Sequence, residues 1–203
     1  MPPRAKFTRE EILEAALSLL REKGPEGVTA RELGVRLHSS ARPIFTVFES
    51  MEEVHREVRR AAKDLYRQYV KEGLSKPLAF RGVGMAYVRF ANREPRLFQL
   101  LFMTEQEKPE NVDHTLPIIE ESYGEILCSV QEPYGLSPED AKRLYRHLWV
   151  YTHGIAVLCA AKAAAFTEQE AEEMMTEVFV SLLSRIKASS GDKPAENKGE
   201  MSQ

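Results

Sequence analysis

The sequence predicts an all-α protein, and three kinds of pattern lead to this prediction. Apolar residues recur every three or four positions through most of the 203 residues, as they do along the buried face of an amphipathic helix. At the starts of four predicted helices a Thr or Ser is followed three positions later by Glu, which is the capping-box pattern of a helix N-terminus: Thr8, Thr29, Ser50 and Thr167. Proline or glycine separates several of the periodic segments. No segment shows the alternation of apolar and polar residues that would indicate a strand.

The first predicted helix covers Thr8–Lys23. The Thr8 hydroxyl can accept a hydrogen bond from the amide of Glu11, and the Glu11 carboxylate can reach back to the amide of Thr8. Gly24 and Pro25 end this helix, because glycine adopts the left-handed cap conformation and proline cannot continue a helix.

Two shorter helices are predicted next. The first begins at Thr29, with Glu32 closing a second capping box, and the second runs from 41 to 48 with Ser40 as its cap. Neither can bury its apolar residues alone, so both must pack against the first helix. This arrangement is a helix-turn-helix, whose second short helix has the size that enters a DNA major groove.

Longer helices form the predicted second domain. Their predicted ranges are 51–73, 78–92, 96–103, 115–132, 138–166 and 167–188, with a loop at 104–114. The predicted domain limits are 1–50 for the helix-turn-helix domain and 51–188 for the larger helical domain. Residues 189–203 are polar and lack periodicity, so we expect a disordered tail.

The composition is that of a globular protein, with 43% hydrophobic and 29% charged residues. No apolar run is long enough to span a membrane, and the N-terminus lacks the apolar core of a signal peptide, so we expect a cytoplasmic protein without a membrane partner. Cys128 and Cys159 are then expected to be reduced, and a sensing role for them stays open. The net charge is −3, but basic residues gather near the N-terminus: Arg4, Lys6, Arg9, Arg31, Arg36 and Arg42.

The segment from Thr29 to Val54 resembles the DNA-binding domain of the TetR (tetracycline-repressor-like) family of transcriptional regulators. The matching residues are Thr29, Arg31, Glu32, Leu33, Ser40, Phe45, Phe48, Ser50, Glu52 and Glu53. Further on, the stretch WVYTHG at 149–154 resembles the C-terminal region of some members. The resemblance implies a homodimer that binds a palindromic duplex and senses a small-molecule effector.

Three positions depart from the family pattern. His38 replaces the turn glycine, Phe45 replaces the usual tyrosine, and Met51 replaces a lysine at the start of the next helix. Each change removes or perturbs a phosphate contact. The turn at His38 is expected to be strained or differently shaped.

The predicted DNA-binding residues fall in the helix-turn-helix and the arm before it: Arg4, Lys6, Thr29, Ser39, Ser40, Ala41, Arg42, Phe45 and Thr46. Arginine reads guanine through a bidentate contact, and the threonine methyl can meet thymine. Hydroxyls and amides at helix N-termini suit phosphate oxygens. The basic residues of the arm can follow the backbone or enter the minor groove.

The resemblance also implies a ligand cavity in the larger domain, and an apolar pocket needs a few polar groups. The predicted pocket residues are Tyr87, Phe90, Phe98, Phe102, Tyr123, Trp149 and His153. Most such aromatic residues are ordinary core residues, and His153 is equally compatible with a hydrogen-bonded core histidine.

The last two predicted helices carry more apolar surface than one bundle needs, and the family pairs them across a two-fold axis. The predicted dimer residues are Val157, Ala161, Ala164, Phe179, Leu182, Leu183 and Ile186.

No enzyme motif is present: there is no phosphate-binding glycine loop, HExxH, zinc-type Cys/His cluster or Gly-x-Ser-x-Gly. We therefore expect no catalytic residues, metal site or cofactor. A helical protein-interaction module of the same fold, with weak or no specific DNA binding, is the alternative. Salt separates the two, because phosphate binding weakens with a log–log slope of roughly −0.9 per phosphate neutralised.

Overall fold

The chain is helical in a computed structural model that describes residues 6–104 and 111–191. These parts contain nine α-helices, two short 3-10 turns and no strand, which confirms the all-α prediction. The helices are α1 Arg9–Lys23, α2 Ala30–Arg36, α3 Met51–Leu74, α4 Ala79–Arg93, α5 Pro95–Phe102, α6 Val112–Ile119, α7 Tyr123–Tyr134, α8 Pro138–Ala160 and α9 Glu168–Gly191. Of the predicted disordered tail, residues 189–191 belong to α9 and the rest lie outside the described residues.

The N-terminal domain packs α1 against α2 and the segment after it. Its fully buried core side chains are Ile12, Leu19, Leu20, Leu33, Ile44 and Phe48. The capping box of α1 forms as predicted. The Glu11 amide donates to Thr8 Oγ1 at 3.1 Å, and the Thr8 amide donates to Glu11 Oε2 at 2.8 Å.

The second short helix, predicted at 41–48, is instead a single 3-10 turn at Ile44–Thr46. Pro43 explains the difference, because it has no amide to donate and disfavours helical dihedrals at Arg42. The Thr46 hydroxyl also donates to the Pro43 carbonyl at 2.7 Å and so competes with helical bonding. The predicted cap at Ser40 is wrong: the N-cap position of this turn is Pro43, and no side chain caps it.

In the larger domain α3 crosses α4, and two glycines let the backbones approach closely. A Cβ built on Gly82 would lie 2.2 Å from the Gly73 carbonyl oxygen. A Cβ built on Gly73 would lie 2.7 Å from the Gly82 carbonyl oxygen. A larger residue at either position would therefore push the helices apart. Beyond this crossing, α4 also contacts α7, α8 and α9 and is the central helix of the domain.

One predicted helix, 115–132, is two helices in the structure. α6 ends at Ile119 and α7 begins at Tyr123, because Glu120 between them is extended, with φ −111° and ψ 99°. The Glu120 carboxylate fixes this break by accepting hydrogen bonds from the Tyr66 hydroxyl and the Ser122 amide. The loop predicted at 104–114 is also shorter, since α6 begins at Val112; residues 105–110 lie outside the described chain.

α8 ends at Ala160, six residues before the predicted end at 166. Lys162 takes a left-handed conformation with φ 55°. Its amide donates to the Cys159 carbonyl at 2.9 Å, and the Ala163 amide donates to the Leu158 carbonyl at 3.0 Å, which is the Schellman end of a helix. Because a Schellman motif usually contains glycine, the alanine-rich sequence here does not predict the end of α8. Within 6–104 and 111–191, no helix is long and apolar enough to cross a membrane.

Candidate functional site

A left-handed residue makes the turn after α2. His38 has φ 49°, and its amide donates to the Val35 carbonyl at 3.1 Å. The Ser39 amide donates to the Gly34 carbonyl at 2.9 Å, which completes a Schellman motif. A Cβ on Gly34 would lie only 3.0 Å from the Ser39 carbonyl oxygen, so glycine there lets the chain turn back tightly. The turn therefore has the left-handed geometry that glycine usually provides, and His38 adopts this geometry at a cost in conformational energy.

The turn leads into residues 39–48, which we call the reading segment. Arg42 is exposed and makes no hydrogen bond or ion pair with the part of the chain that the structure describes. Phe45 is 47% exposed, and Ser40 and Thr46 are exposed as well. Ala41 is half-buried. An exposed guanidinium with no partner among the described residues, three positions before an exposed aromatic ring, suits contact with a duplex, although Phe45 has no hydroxyl for a phosphate.

The other predicted DNA contacts lie beside this segment, except Arg4, which is outside the described residues. Lys6 Nζ donates to Ser39 Oγ at 3.0 Å, so the arm reaches the turn. Thr29 caps α2 as predicted, accepting the Glu32 amide at 3.2 Å. The closing half of that capping box is wrong, because the Glu32 carboxylate pairs with Lys23 and not with the Thr29 amide.

Several basic residues of this domain are already paired. Arg36 donates to Glu22 and, at 2.7 Å, to Ser18 Oγ. Lys23 is bound to Glu32, and this hydrogen bond lowers the pKa of the Glu32 carboxyl. The pKa of Glu22 is likewise lowered, chiefly by its hydrogen bond from Arg36. These carboxylates compete with phosphate for the same cations.

Glu53, in the first turn of α3, ties three parts of the domain together. Its Oε1 accepts from Arg9 Nη2 of α1 at 2.7 Å, and its Oε2 accepts from the Glu49 amide at 2.6 Å. Its own amide donates to Ser50 Oγ at 3.3 Å. The Glu49 amide and then Arg9 lower the pKa of Glu53, so it stays anionic. The predicted capping box at Ser50 is therefore half formed, because Glu53 binds Glu49 and not the Ser50 amide.

A cavity of about 460 Å³ lies among α3, α4, α7, α8 and α9 of the larger domain. Exposed residues line its mouth: Leu78, Arg81, Thr176 and Val180. Buried residues line its inner end: Tyr66, Tyr87, Glu120, Ile126, Tyr145 and Leu148. Its size and apolar walls are those of a small-molecule site.

Two of the predicted pocket residues, Tyr87 and Trp149, line this cavity. Five others are not among its lining residues: Phe90, Phe98, Phe102, Tyr123 and His153. Phe90 and Phe98 are fully buried and pack with the rings of Tyr66 and Tyr87. The Phe90 and Phe98 rings therefore pack behind the tyrosines that line the cavity wall.

His153 lies in the layer behind Trp149. Its ring stacks on the indole at 4.8 Å, and its Nδ1 lies 2.8 Å from the Tyr87 hydroxyl. Burial lowers the pKa of His153, which favours the neutral imidazole. It has the features of a core histidine whose hydrogen bond positions Tyr87.

The buried acid of the cavity, Glu120, was not predicted from the sequence. It is 4% exposed, and burial raises the pKa of its carboxyl despite the hydrogen bonds from Tyr66 and Ser122. Burial, and then the charge of Glu120, also raise the pKa of the Tyr87 and Tyr145 hydroxyls. Within the described chain no Lys, Arg or His forms an ion pair with Glu120. The sequence offered no signal for it, because the helix break that exposes Glu120 to the cavity depends on its own long-range bond to Tyr66.

The predicted dimer residues divide into two groups. Ile186 is 2% exposed, and Phe179 and Leu183 line the cavity, so these three contribute to the core of the subunit, with Leu182 packed beside them. The others lie toward the end of α8 and beyond it: Val157 and Ala164 are half-buried and Ala161 is exposed. The exposed apolar residues of these helices are different ones: Val150, Leu158 and Val180.

Comparison with known proteins gives matches over both parts of the chain. Residues 12–58 match the family described as bacterial regulatory proteins, tetR family, and residues 80–183 match the Tetracyclin repressor-like C-terminal domain. Among solved structures, a transcriptional regulator from Rhodococcus sp. Rha1 is similar, with a TM-score of 0.59 and 16% identity over 87% of this chain and 96% of that one. At that identity the likeness concerns the fold. No functionally characterised protein was matched by sequence.

Proposed function

Because the chain belongs to the TetR family of non-enzymatic, DNA-binding transcriptional regulators, we propose that it is a homodimeric repressor that a small molecule releases from a palindromic operator. The effector occupies the cavity of the larger domain. Residues 39–48 of each subunit read one half-site in the major groove, with Arg42 as the principal base contact.

One observation carries this proposal: a single helix contacts both sites. Glu53 in the first turn of α3 holds the end of the reading segment through the Glu49 amide. Tyr66, further along α3, lines the cavity and donates to Glu120. The two residues are thirteen positions apart, which is about 20 Å along a straight helix. A ligand that displaces Tyr66 therefore acts on the helix that supports the reading segment.

The mechanism is a population shift between two positions of α3. Two reading segments can bind one palindrome only when their separation matches the half-site spacing of roughly 34–36 Å, or a multiple of it. An effector that binds better to the mismatched arrangement lowers DNA affinity by that difference in binding free energy. If a bound ligand left DNA affinity unchanged, this mechanism would be wrong.

The dimer is formed by α8 and α9 in the proposal. Val150, Gly154 and Leu158 recur every four positions on α8 and are all exposed, so they share one uncovered face. Gly154 has no atom within 4 Å of a built Cβ, which leaves room for a second helix. Val180 adds an exposed apolar residue on α9. A two-fold pairing of these faces would bring two reading segments to one duplex.

A helical interaction module with weak DNA binding is the second candidate. The observation that favours it is the pairing of Arg9, Lys23 and Arg36 with carboxylates of their own domain. Fewer free cations mean fewer released counterions and weaker DNA binding.

The deciding experiment is selection of bound duplexes from a random DNA pool, with wild type, Arg42→Ala and Arg93→Ala in parallel. Arg93 is an exposed arginine at the end of α4, outside the proposed dimer helices, and serves as the charge-matched control. The repressor proposal expects wild type and Arg93→Ala to enrich a palindrome and Arg42→Ala to lose or degrade it. Failure of wild type to enrich any sequence at low salt would reject the proposal and favour the interaction module.

A further inference from the structure

The cavity has an unusual distribution of charge for a mainly apolar site. Of its described lining residues only Glu120 is acidic and only Arg81 is basic. Arg81 lies at the exposed mouth and pairs with Glu172 at 2.7 Å. Glu120 lies at the buried inner end without a cationic partner among the described residues.

Hydrogen bonds alone do not saturate this carboxyl group. Tyr66 donates to Oε2, and the Ser122 amide donates to Oε1 at 3.2 Å. An ionised carboxylate has about four acceptor positions, so acceptor capacity remains. Burying a carboxylate without a counter-charge is costly, and a bound cation would remove that cost. A purely structural role would need only a neutral acceptor at this helix break.

Much of the cavity wall is aromatic. The rings that line it belong to Tyr66, Phe80, Tyr87, Tyr134, Tyr145, Trp149 and Phe179, and the Tyr66 hydroxyl donates to Glu120. The faces of aromatic rings attract cations, and this attraction strengthens when water is excluded. The same rings provide the apolar contact that the rest of an organic ligand needs.

From this arrangement we infer that the effector is a lipophilic cation, with its positive group at the inner end beside Glu120 and its apolar body along the aromatic walls. The inference rests on the proposed function only in taking the cavity as the effector site. An organic anion would meet the carboxylate at the buried end and could use Arg81 only at the mouth. The Tyr66–Glu120 hydrogen bond lies at the cation's position, so the ligand would act directly on a residue of α3.

The test measures binding to the full chain without DNA, so its outcome is independent of whether an operator exists. Phenyltrimethylammonium and tert-butylbenzene have nearly the same shape and differ in charge, and benzenesulfonate supplies the opposite charge. Binding is followed by calorimetry and by the fluorescence of Trp149, which is the single tryptophan and lines the cavity.

Wild type should bind the cation at least tenfold more tightly than tert-butylbenzene and should bind the sulfonate least. Glu120→Gln should lose the preference for the cation. Glu121→Gln, the same change at an exposed neighbour that pairs with Arg67 and does not line the cavity, should keep it. Circular dichroism verifies that both variants fold.

Equal binding of the isosteric pair by wild type, tighter binding of the sulfonate, or an unchanged cation preference in Glu120→Gln would each overturn the inference. If Glu120→Gln does not fold, the isosteric comparison on wild type still decides. A cation that binds as expected but leaves DNA affinity unchanged would support the ligand class and reject the proposed release mechanism.

Discussion

The crossing of α3 and α4 gives a sharp prediction, because it is made of backbone. In Gly82→Ala the new Cβ would lie 2.2 Å from the Gly73 carbonyl oxygen, whereas an ordinary contact begins near 3.4 Å. The helices must separate by about 1 Å, and neither atom belongs to a side chain that could turn away. Overpacking of this kind costs typically about 1–3 kcal/mol, which the better helix propensity of alanine offsets by up to about 1 kcal/mol. We expect a net loss of about 1–2 kcal/mol.

For a chain of this length a loss of 1 kcal/mol lowers Tm by roughly 2–4 °C, so Gly82→Ala should melt about 2–8 °C below wild type in calorimetry. Gly124→Ala is the matched control, because a Cβ there has no atom within 4 Å. That variant should be unchanged or slightly stabilised, since alanine is the better helix former. If Gly82→Ala melts at or above wild type while the control behaves as expected, the close crossing is not a constraint on α3.

Three further predictions concern single side chains. Because burial raises the pKa of Glu120, the folded state binds its proton more tightly than the unfolded state, and wild-type stability falls as pH rises from the ordinary Glu pKa through the raised one. Glu120→Gln should therefore gain stability relative to wild type in urea titrations as the pH rises above the ordinary Glu pKa of about 4.3, and a difference that does not change with pH would contradict this. Phe98→Ala removes a fully buried ring and should cost about 3–5 kcal/mol of unfolding free energy, whereas a loss below about 1 kcal/mol would show that the ring is not tightly packed in the core. Thr8→Ala removes the α1 cap and should lower the unfolding free energy by about 1 kcal/mol, whereas Thr8→Ser should keep most of the stability of wild type. An unchanged unfolding free energy in Thr8→Ala would show that the cap does not stabilise α1.

The sequence predicted local features well because they depend on neighbouring residues. The hydroxyls of Thr8, Thr29, Ser50 and Thr167 each accept a hydrogen bond from the amide three positions on. The reciprocal half of the box failed at the second and third of these sites. At these two sites the glutamate carboxylate binds a residue from another part of the chain or a neighbouring amide instead of the amide of the capping residue. A rule based on residue spacing does not include such competition.

Non-glycine residues in the left-handed conformation explain why the sequence patterns do not locate some helix ends. A Schellman end usually carries glycine, as Gly135 does after α7. Lys162 takes the same role after α8, and a helix-propensity rule extends that helix too far because alanine-rich sequence follows. Only the comparison with the family pattern, which has glycine at that position, marks His38 as a left-handed residue.

The cavity shows the limit of composition as a guide. Counting aromatic residues finds the right domain, but it does not distinguish Phe98, which is buried in the core, from Trp149, which lines the cavity. Glu120, the acid at the inner end of the cavity, lies at a helix break where Tyr66 of α3 donates to it. A long-range hydrogen bond of this kind becomes visible only when the helices are packed.

The charge pattern of the N-terminal domain has a consequence for DNA affinity. Arg9, Lys23 and Arg36 are bound to carboxylates whose negative charge persists, so a phosphate would have to displace an existing partner to bind them. Arg42 and Lys6 have no carboxylate partner within the described residues, and each can neutralise a phosphate at lower cost. Because the salt slope of binding counts phosphates neutralised, a dimer of such domains should show a shallow slope. Its specificity must then come from base contacts and from the spacing of the two reading segments more than from phosphate attraction.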